Sequence, residues 1–566
     1  MIAVVKSRKI NIYKLTSLIG LFILCIFAMT LFPKEAMAHA YVAKSTPAEN
    51  EIFTTAPTNI FIQFNESIQP GFHSIIILDS RGKKMPLNKE YVNSNNETIL
   101  EAKIKGKLPN GTYTMQWKAV SADGHPVQGV IPFSIGTTQD SSSIVKAETS
   151  NYIPKADMIF LRWLLFSSFA LYIGGIMYNL FICRAEQDEA FMNNRSLSTK
   201  MIWLALVVMF ICILLNLPLQ TKVGAGVSWL EAFKPNLLTE TLTQTTFGSI
   251  WIVQIFCIIG LLIATYFANR TKSIFSYKDW AISLLFFIAI LITKSLTSHA
   301  AVSTNKIMAV SMDFLHLLAA SIWVGTLFYL AFLLPKRQKT WINESEKNKY
   351  WYSINRFSLV AIGATAIILL TGIYGSLEYV PTFYALLHTY YGIALIGKIL
   401  LFIIMLFLGS FHYIKGRKHG NKDLTRTIIF EFGIGLVVMV VAALLTNLPT
   451  SISSPGPFKQ TMILDNKDTA TLQISPNIAG INSFKIVLKD QKGKPITDVE
   501  KVQLTFTPFN TKLDASSIDV PEHMQGVFQT KGMYINIAGD WKVTVHVLTT
   551  SLDSYDIDFN PVVGSQ

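Results

Sequence analysis

Eight apolar stretches, at about residues 157–183, 200–218, 246–268, 279–297, 310–334, 357–377, 388–412 and 428–448, constrain this chain more than any other feature. Each is close to the roughly 20 residues that a helix needs to cross a bilayer's hydrocarbon core. With 566 residues, 51% of them hydrophobic, the chain is too apolar for a soluble globule and too long for one domain. The formal net charge of +13 would otherwise suggest a polyanion partner. Its placement argues against nucleic acid. The loops starting at 184, 269, 335 and 413 hold 17 Lys/Arg against six Asp/Glu, whereas the three alternate loops hold only Lys222, Lys234 and Lys306. That asymmetry is the positive-inside pattern, so the basic loops are expected to face the cytoplasm. An even number of spans then returns the C-terminus to the outside, in a multi-pass protein of the plasma membrane.

The flanks read differently. Lys6, Arg8, Lys9 and Lys14 form a basic start, Leu15 to Phe32 an apolar run, and Ala36-Met37-Ala38 a small-x-small cleavage site. Residues 1–38 therefore read as a secretory signal, whose removal would make His39 the first residue. Residues 39–136 show short β runs at Ile60–Phe64, Ser74–Leu78, Thr98–Ile104, Thr112–Val120 and Gly129–Ile135. Tyr113, Met115 and Trp117 alternate with polar residues, as in a half-buried strand. The expected fold there is a small β-sandwich. A Ser/Thr-rich linker covers 137–156, the membrane domain 157–450, and a second extracytoplasmic β-sandwich 458–566. In the latter, Trp541, Val543, Val545 and Val547 alternate with Lys542, Thr544 and His546, and the alternation is expected to stop at Leu548. The cysteines Cys25, Cys183, Cys212 and Cys257 all lie in apolar segments, which excludes a disulfide framework and a thiolate metal site in the soluble regions.

A free N-terminal histidine offers a metal its α-amine and its imidazole, closing a chelate ring. Asp123 and His125, in Ser121-Ala122-Asp123-Gly124-His125-Pro126, are two apart and point the same way on an extended segment. Together with His39 they supply three nitrogens and one carboxylate oxygen, a tetragonal set suited to Cu(II). Taken alone, Asp-Gly-His-Pro would be no more than a polar turn. His73 is a further donor candidate, although a lone strand-edge histidine is usually just solvated.

On these residues, 39–136 resembles the CopC family of periplasmic copper-binding domains, which carry an Ig-like or cupredoxin-like β-sandwich. The eight-span block resembles the CopD family through His316-Leu-Leu-Ala-Ala-Ser-Ile-Trp323-Val-Gly325. The whole chain is similar to CopC–CopD fusions. The resemblance implies that His39, Asp123 and His125 hold Cu(II). Some CopC proteins add a Met-rich stretch for Cu(I). Here the sandwich has only Met85 and Met115, so one Cu(II) site is expected there.

A second constellation lies in the membrane. His299 sits at the outer end of the fourth span, and the fifth opens with Met308, Met312, Asp313 and His316. Met308, Met312 and His316 share a helical stripe if the helix begins that early. Ionisable residues within a span default to a functional hypothesis, so His299, Asp313, His316 and Met312 are candidate copper ligands, with Met favouring Cu(I). The structural alternative pairs Asp313 with Lys294 or Arg162. Lys398 reads as an internal counter-ion. His388, His412 and His419 fall at span ends or in a basic loop, where interface residues are common. The C-terminal sandwich offers His523, Met524, Met462, Met533 and His546 only weakly.

These features point to a copper transport protein without enzymatic activity. Its expected partners are copper ions, the bilayer and extracytoplasmic copper chaperones. No Walker motif is present, so ATP is not the expected driver. Resistance by sequestration or efflux would use the same ligands. An oxidative copper enzyme with a histidine brace would leave coordination positions open, which Asp123 would instead close.

Overall fold

The structure, a computed structural model, describes residues 42–48, 51–64, 67–121, 124, 126–136, 154–182, 189–270, 277–303, 305–333, 344–417, 424–464, 468–509, 515–535 and 538–564. The expected signal segment, His39, Asp123, His125 and His419 lie outside these residues.

Eight strands build the N-terminal domain: β1 (Val42–Thr46), β2 (Glu51–Phe53), β3 (Asn59–Phe64), β4 (Ser74–Asp79), β5 (Tyr91–Val92), β6 (Ile99–Lys103), β7 (Gly111–Val120) and β8 (Pro126–Ile135). They form two four-stranded sheets, ordered β1-β3-β6-β5 and β2-β8-β7-β4. The alternation seen in the sequence is the inside-outside alternation of the sandwich: Ile60, Ile62 and Phe64 from one sheet meet Met115, Trp117 and Phe133 from the other. Met115 is fully buried core, and the Trp117 indole packs edge-on against Phe64.

The membrane domain contains α1 (Ala156–Met177, continued by a π-helical turn Tyr178–Ile182), α2 (Glu189–Ala225), α3 (Trp229–Ala232), α4 (Pro235–Gln244), α5 (Thr246–Arg270) and α6 (Tyr277–Ser295). A 3₁₀ turn, His299–Val302, leads to α7 (Lys306–Leu333), α8 (Glu344–Tyr379), α9 (Phe383–His388), α10 (Tyr390–Arg417) and α11 (Thr425–Leu445). Among the described residues seven of these helices are long and apolar enough to cross a bilayer. The eighth expected span, α6, forms a 19-residue helix that carries Lys278, Asp279 and Lys294. Its charges, not its length, set it apart.

Ten strands follow: β9 (Phe458–Ile463), β10 (Thr469–Ser475), β11 (Gly480–Lys489), β12 (Val499–Pro508), β13 (Ser516–Asp519), β14 (Glu522–Met524), β15 (Val527–Ile535), β16 (Gly539–Thr549), β17 (Ser554–Phe559) and β18 (Val562–Val563). They form two sheets around a core of Phe484, Phe506, Trp541 and Val545. The alternation in β16 does not stop at Leu548. It runs on through the buried Thr549, because the pleat continues whatever the chemistry of each side chain. His546 does lie on the polar face, with Nδ1 2.6 Å from Asp556.

The N-terminal domain and the segment that leads from α11 into the C-terminal domain touch the same end of the bundle. The N-terminal domain meets the end of α2 and the α4–α5 junction. At the C-terminal side, Thr382 donates to the Pro455 carbonyl at 2.6 Å and Thr389 bonds Ser451 at 2.7 Å. Arg162, near the start of α1, donates to the Thr446 carbonyl at the end of α11, tying that end of the bundle together.

Candidate functional site

The segment expected to hold metal is the β7–β8 turn, of which the structure describes Ser121 and Gly124. Ser121 is fully buried at the end of β7, and the next described residue, Gly124, has a positive φ of 87° that favours glycine. The Gly124 carbonyl accepts a hydrogen bond from Gln220 Nε2 of α2 at 2.8 Å. A Cβ at Gly124 would lie 2.7 Å from that same nitrogen, at the end of a flexible side chain that can shift, so it is the backbone conformation that calls for glycine.

Four more contacts fix the dock. Lys118 Nζ donates to the Gly224 carbonyl at 2.9 Å, and the Thr246 amide donates to Gln69 Oε1 at 2.7 Å. The Gly71 amide donates to the Gln244 carbonyl at 3.2 Å, and the Phe72 amide to Glu240 Oε1 at 3.3 Å. Burial at the dock pushes the Lys118 ammonium below its ordinary range, because desolvation disfavours the charged form. Replacing Lys118 by Met and Gln220 by Ala removes two of these bonds, each worth about 1 kcal/mol net. The expected result is a domain that separates more often, measured as faster hydrogen exchange over residues 216–224.

Beneath Gly124 lies a cavity lined by Met158, Arg162, Asn216, Gln220, Lys294 and Thr297, among others. It holds a space of about 20 Å³, roughly that of one water molecule. Lys294 is buried there, and its nearest polar partner is Thr297 Oγ1 at 3.5 Å. Gly124 thus shares the lining of this cavity with Lys294 and Thr297 at the end of α6, just before Ser298 and His299.

From there the polar path continues into α7. Ser298 Oγ donates to Asp313 Oδ2 at 3.1 Å, which brings the buried His299 beside the helix that carries Asp313 and His316. The His299 ring lies 6.2 Å from the Tyr379 ring. Asp313 is within electrostatic reach of Lys294, Lys398, Tyr379 and Tyr391, yet among the described residues no Lys or Arg pairs with it directly. The structural alternative, an Asp313–Lys294 or Asp313–Arg162 pair, does not form among the described residues: Lys294 turns to Thr297 and Arg162 to the Thr446 carbonyl. Helix α7 does begin early enough to place Met308, Met312 and His316 on one stripe, and Met312 is buried.

His316 is held on both sides. Its Nδ1 lies 2.8 Å from Thr371 Oγ1, and its Nε2 lies 3.3 Å from Lys398 Nζ. Thr371 spends its own proton on the Ile367 carbonyl at 2.7 Å, so it accepts from Nδ1–H. Lys398 can only donate, which leaves the Nε2 lone pair facing the ammonium. Lys398 is therefore a direct partner of the candidate ligand, a contact that spacing could not show because the two residues lie on different helices. Among the described residues no group of three or more His, Cys, Asp or Glu is gathered closely enough to hold an ion. His73 Nε2 lies 3.5 Å from the Glu90 carbonyl, away from this path. The expectation that His412 is an interface residue is not met: it is 1% exposed, and its Nδ1 lies 2.9 Å from Glu431.

Comparisons with known proteins cover most of the chain. Family models match as a CopC domain over residues 42–136, the N-terminal domain of copper resistance protein D-like proteins over 154–306, copper resistance protein D over 352–445, and a YtkA-like domain over 465–546. The chain is 36% identical over 544 residues to the copper transport protein CutJ of Bacillus subtilis (strain 168), covering 95% of this chain and 98% of that protein. It is 27% identical to copper resistance protein D of Pseudomonas syringae pv. tomato over 261 residues, 44% of this chain and 79% of that protein. Copper resistance protein C of Xanthomonas campestris pv. juglandis is 30% identical over 114 residues, 19% of this chain and 88% of that protein.

Proposed function

The chain belongs to the CopC–CopD fusion family of copper transport proteins, and from that membership we propose that it carries copper inward across the plasma membrane. The observation that carries this reading is the position of the β7–β8 turn. Gly124, which lies in sequence between the two expected donors Asp123 and His125, is hydrogen-bonded to α2 and lines the same small cavity as Lys294 and Thr297, two residues before His299.

In this mechanism the outer domain captures Cu(II) with the α-amine and imidazole of His39, the Asp123 carboxylate and the His125 ring. The ion then passes to the membrane candidates His299, Asp313, His316 and Met312. Arg162 and Lys294 in the cavity wall oppose a free copper ion, so ligand-to-ligand transfer is favoured over diffusion through an open pore. Copper delivered as Cu(I) would suit the Met312–His316 stripe, since thioether and imidazole accept the softer ion. An inside-negative potential supplies about 2.3 kcal/mol per charge per 100 mV.

Lys398 acts here as a placeholder cation on the His316 Nε2 lone pair. The Lys398→Met variant is expected to free that nitrogen and to raise copper retention by the purified full chain while slowing release. The ratio of bound copper to transported copper checks this. The whole reading is tested by cellular copper content in a deletion strain under copper starvation. Lower copper than in the parent supports import, whereas higher copper would establish efflux with the same ligands.

A further inference from the structure

A second buried ionisable pair lies far from the dock. His412 of α10 and Glu431 of α11 face each other with Nδ1 2.9 Å from Oε2, and their side chains are only 2% and 0% exposed. His412 lies roughly 33 Å along α10 from its start at Tyr390, taking 1.5 Å per residue. The pair therefore sits toward the end of the bundle opposite the N-terminal domain.

The protons can be counted. Thr427 Oγ1 donates to the Leu424 carbonyl at 2.8 Å, so it accepts from His412 Nε2–H, also at 2.8 Å. The ring's other nitrogen then faces a carboxylate oxygen, and two lone pairs at that distance would repel. The pair therefore carries one further proton, on either the ring or the acid, in a 2.9 Å contact that is not an aligned hydrogen bond. No aligned hydrogen bond fixes either Glu431 oxygen among the described residues. Gly409, one turn before His412, faces Oε1: a Cβ there would lie 3.9 Å from that oxygen.

Among the described residues, His412 is the one charged or titratable group paired with Glu431. On α8 the Tyr350 hydroxyl accepts the Leu424 amide, and Arg356 stacks over Tyr352. Lys415 lies over Phe411 on α10, and Arg426 opens α11. Tyr329 of α7 and Tyr178 beside α1 stack on each other. None of these pairs with Glu431.

We propose that His412 and Glu431 form a proton-exchange site that holds one proton without cargo and releases it to water as a cation passes. The pair is neutral with that proton and carries one negative charge without it. A monovalent metal ion arriving beside it restores the balance, so the proton leaves as the ion takes over its charge, with no electron transferred. Buried charge in a membrane is too costly for the pair to remain singly negative with nothing nearby. This inference rests on the transport reading for its cargo but is tested separately from it.

Copper, as cupric chloride and with ascorbate, is titrated into the detergent-solubilised full chain in weak buffer containing a pH dye. The wild type should release about one proton per copper more than Glu431→Gln or His412→Gln. Thr427→Ala, which removes only the ring's anchor, serves as a milder third variant. Equal proton counts in wild type and folded variants would overturn the proposal. Copper flux into proteoliposomes is measured in parallel. Its absence would overturn the transport reading, while the proton count still decides the role of the dyad.

Discussion

Replacing Asp123 and His125 together by alanine is expected to abolish tight Cu(II) binding to the outer domain and, with it, copper accumulation by cells. The four proposed donors are the two nitrogens of His39, the His125 ring and the Asp123 carboxylate, so the double variant removes half of them. Loss of a mere outer partner of a metal ligand already costs about 10–100-fold in affinity. Losing two direct donors should therefore exceed about a thousand-fold. The fold should survive, because the sandwich core is built from Ile62, Met115, Phe133 and their neighbours. The dock should also survive, because Gln220 bonds the backbone carbonyl of Gly124 and not a side chain. Copper titration of the purified chain checks the first effect, and hydrogen exchange at the dock checks the second. Unchanged affinity would reject the ligand assignment.

The second large effect is structural. Gly325 of α7 and Gly174 of α1 bring two helix backbones into direct contact. A Cβ at Gly325 would lie 2.6 Å from the Ala170 carbonyl carbon and 2.9 Å from Gly174 Cα. Small residues at a membrane helix crossing allow this approach, and the close packing replaces the hydrophobic drive that lipid removes. Gly325→Val should prevent the two helices from closing. Overpacking usually costs about 1–3 kcal/mol. Here the clash is with backbone, which cannot rotate away, so the cost should exceed that range. The expected outcome is loss of monodisperse protein in detergent. Gly363→Ala on α8 is the control, since a Cβ there meets nothing within 4 Å. It should be neutral or stabilise by up to about 1 kcal/mol, through higher helix propensity.

Span length and strand alternation were legible before any fold was known. The β runs, the apolar spans and the polar face of His546 follow from local chemistry, because strand pleat and bilayer thickness are short-range rules. Met115 reads as core for the same reason. The C-terminal domain's strand β16 shows where such reading ends: Leu548 breaks the chemical alternation without breaking the strand. Glu431 could have been noticed as a lone carboxylate in the apolar run 428–448, but nothing in the sequence pairs it with His412.

The sequence by itself determined the three-part organisation, the basic loops and the donor types available at 39, 123, 125, 299, 313 and 316. Only the tertiary structure decided which donors have neighbours: Gln220 on the β7–β8 turn, Lys398 on His316, Ser298 on Asp313, Glu431 on His412. The reason is physical. Local propensity and bilayer thickness act on consecutive residues, whereas a lone pair or a charge is claimed by whichever helix packs beside it, and that choice is made by contacts between residues far apart in the chain.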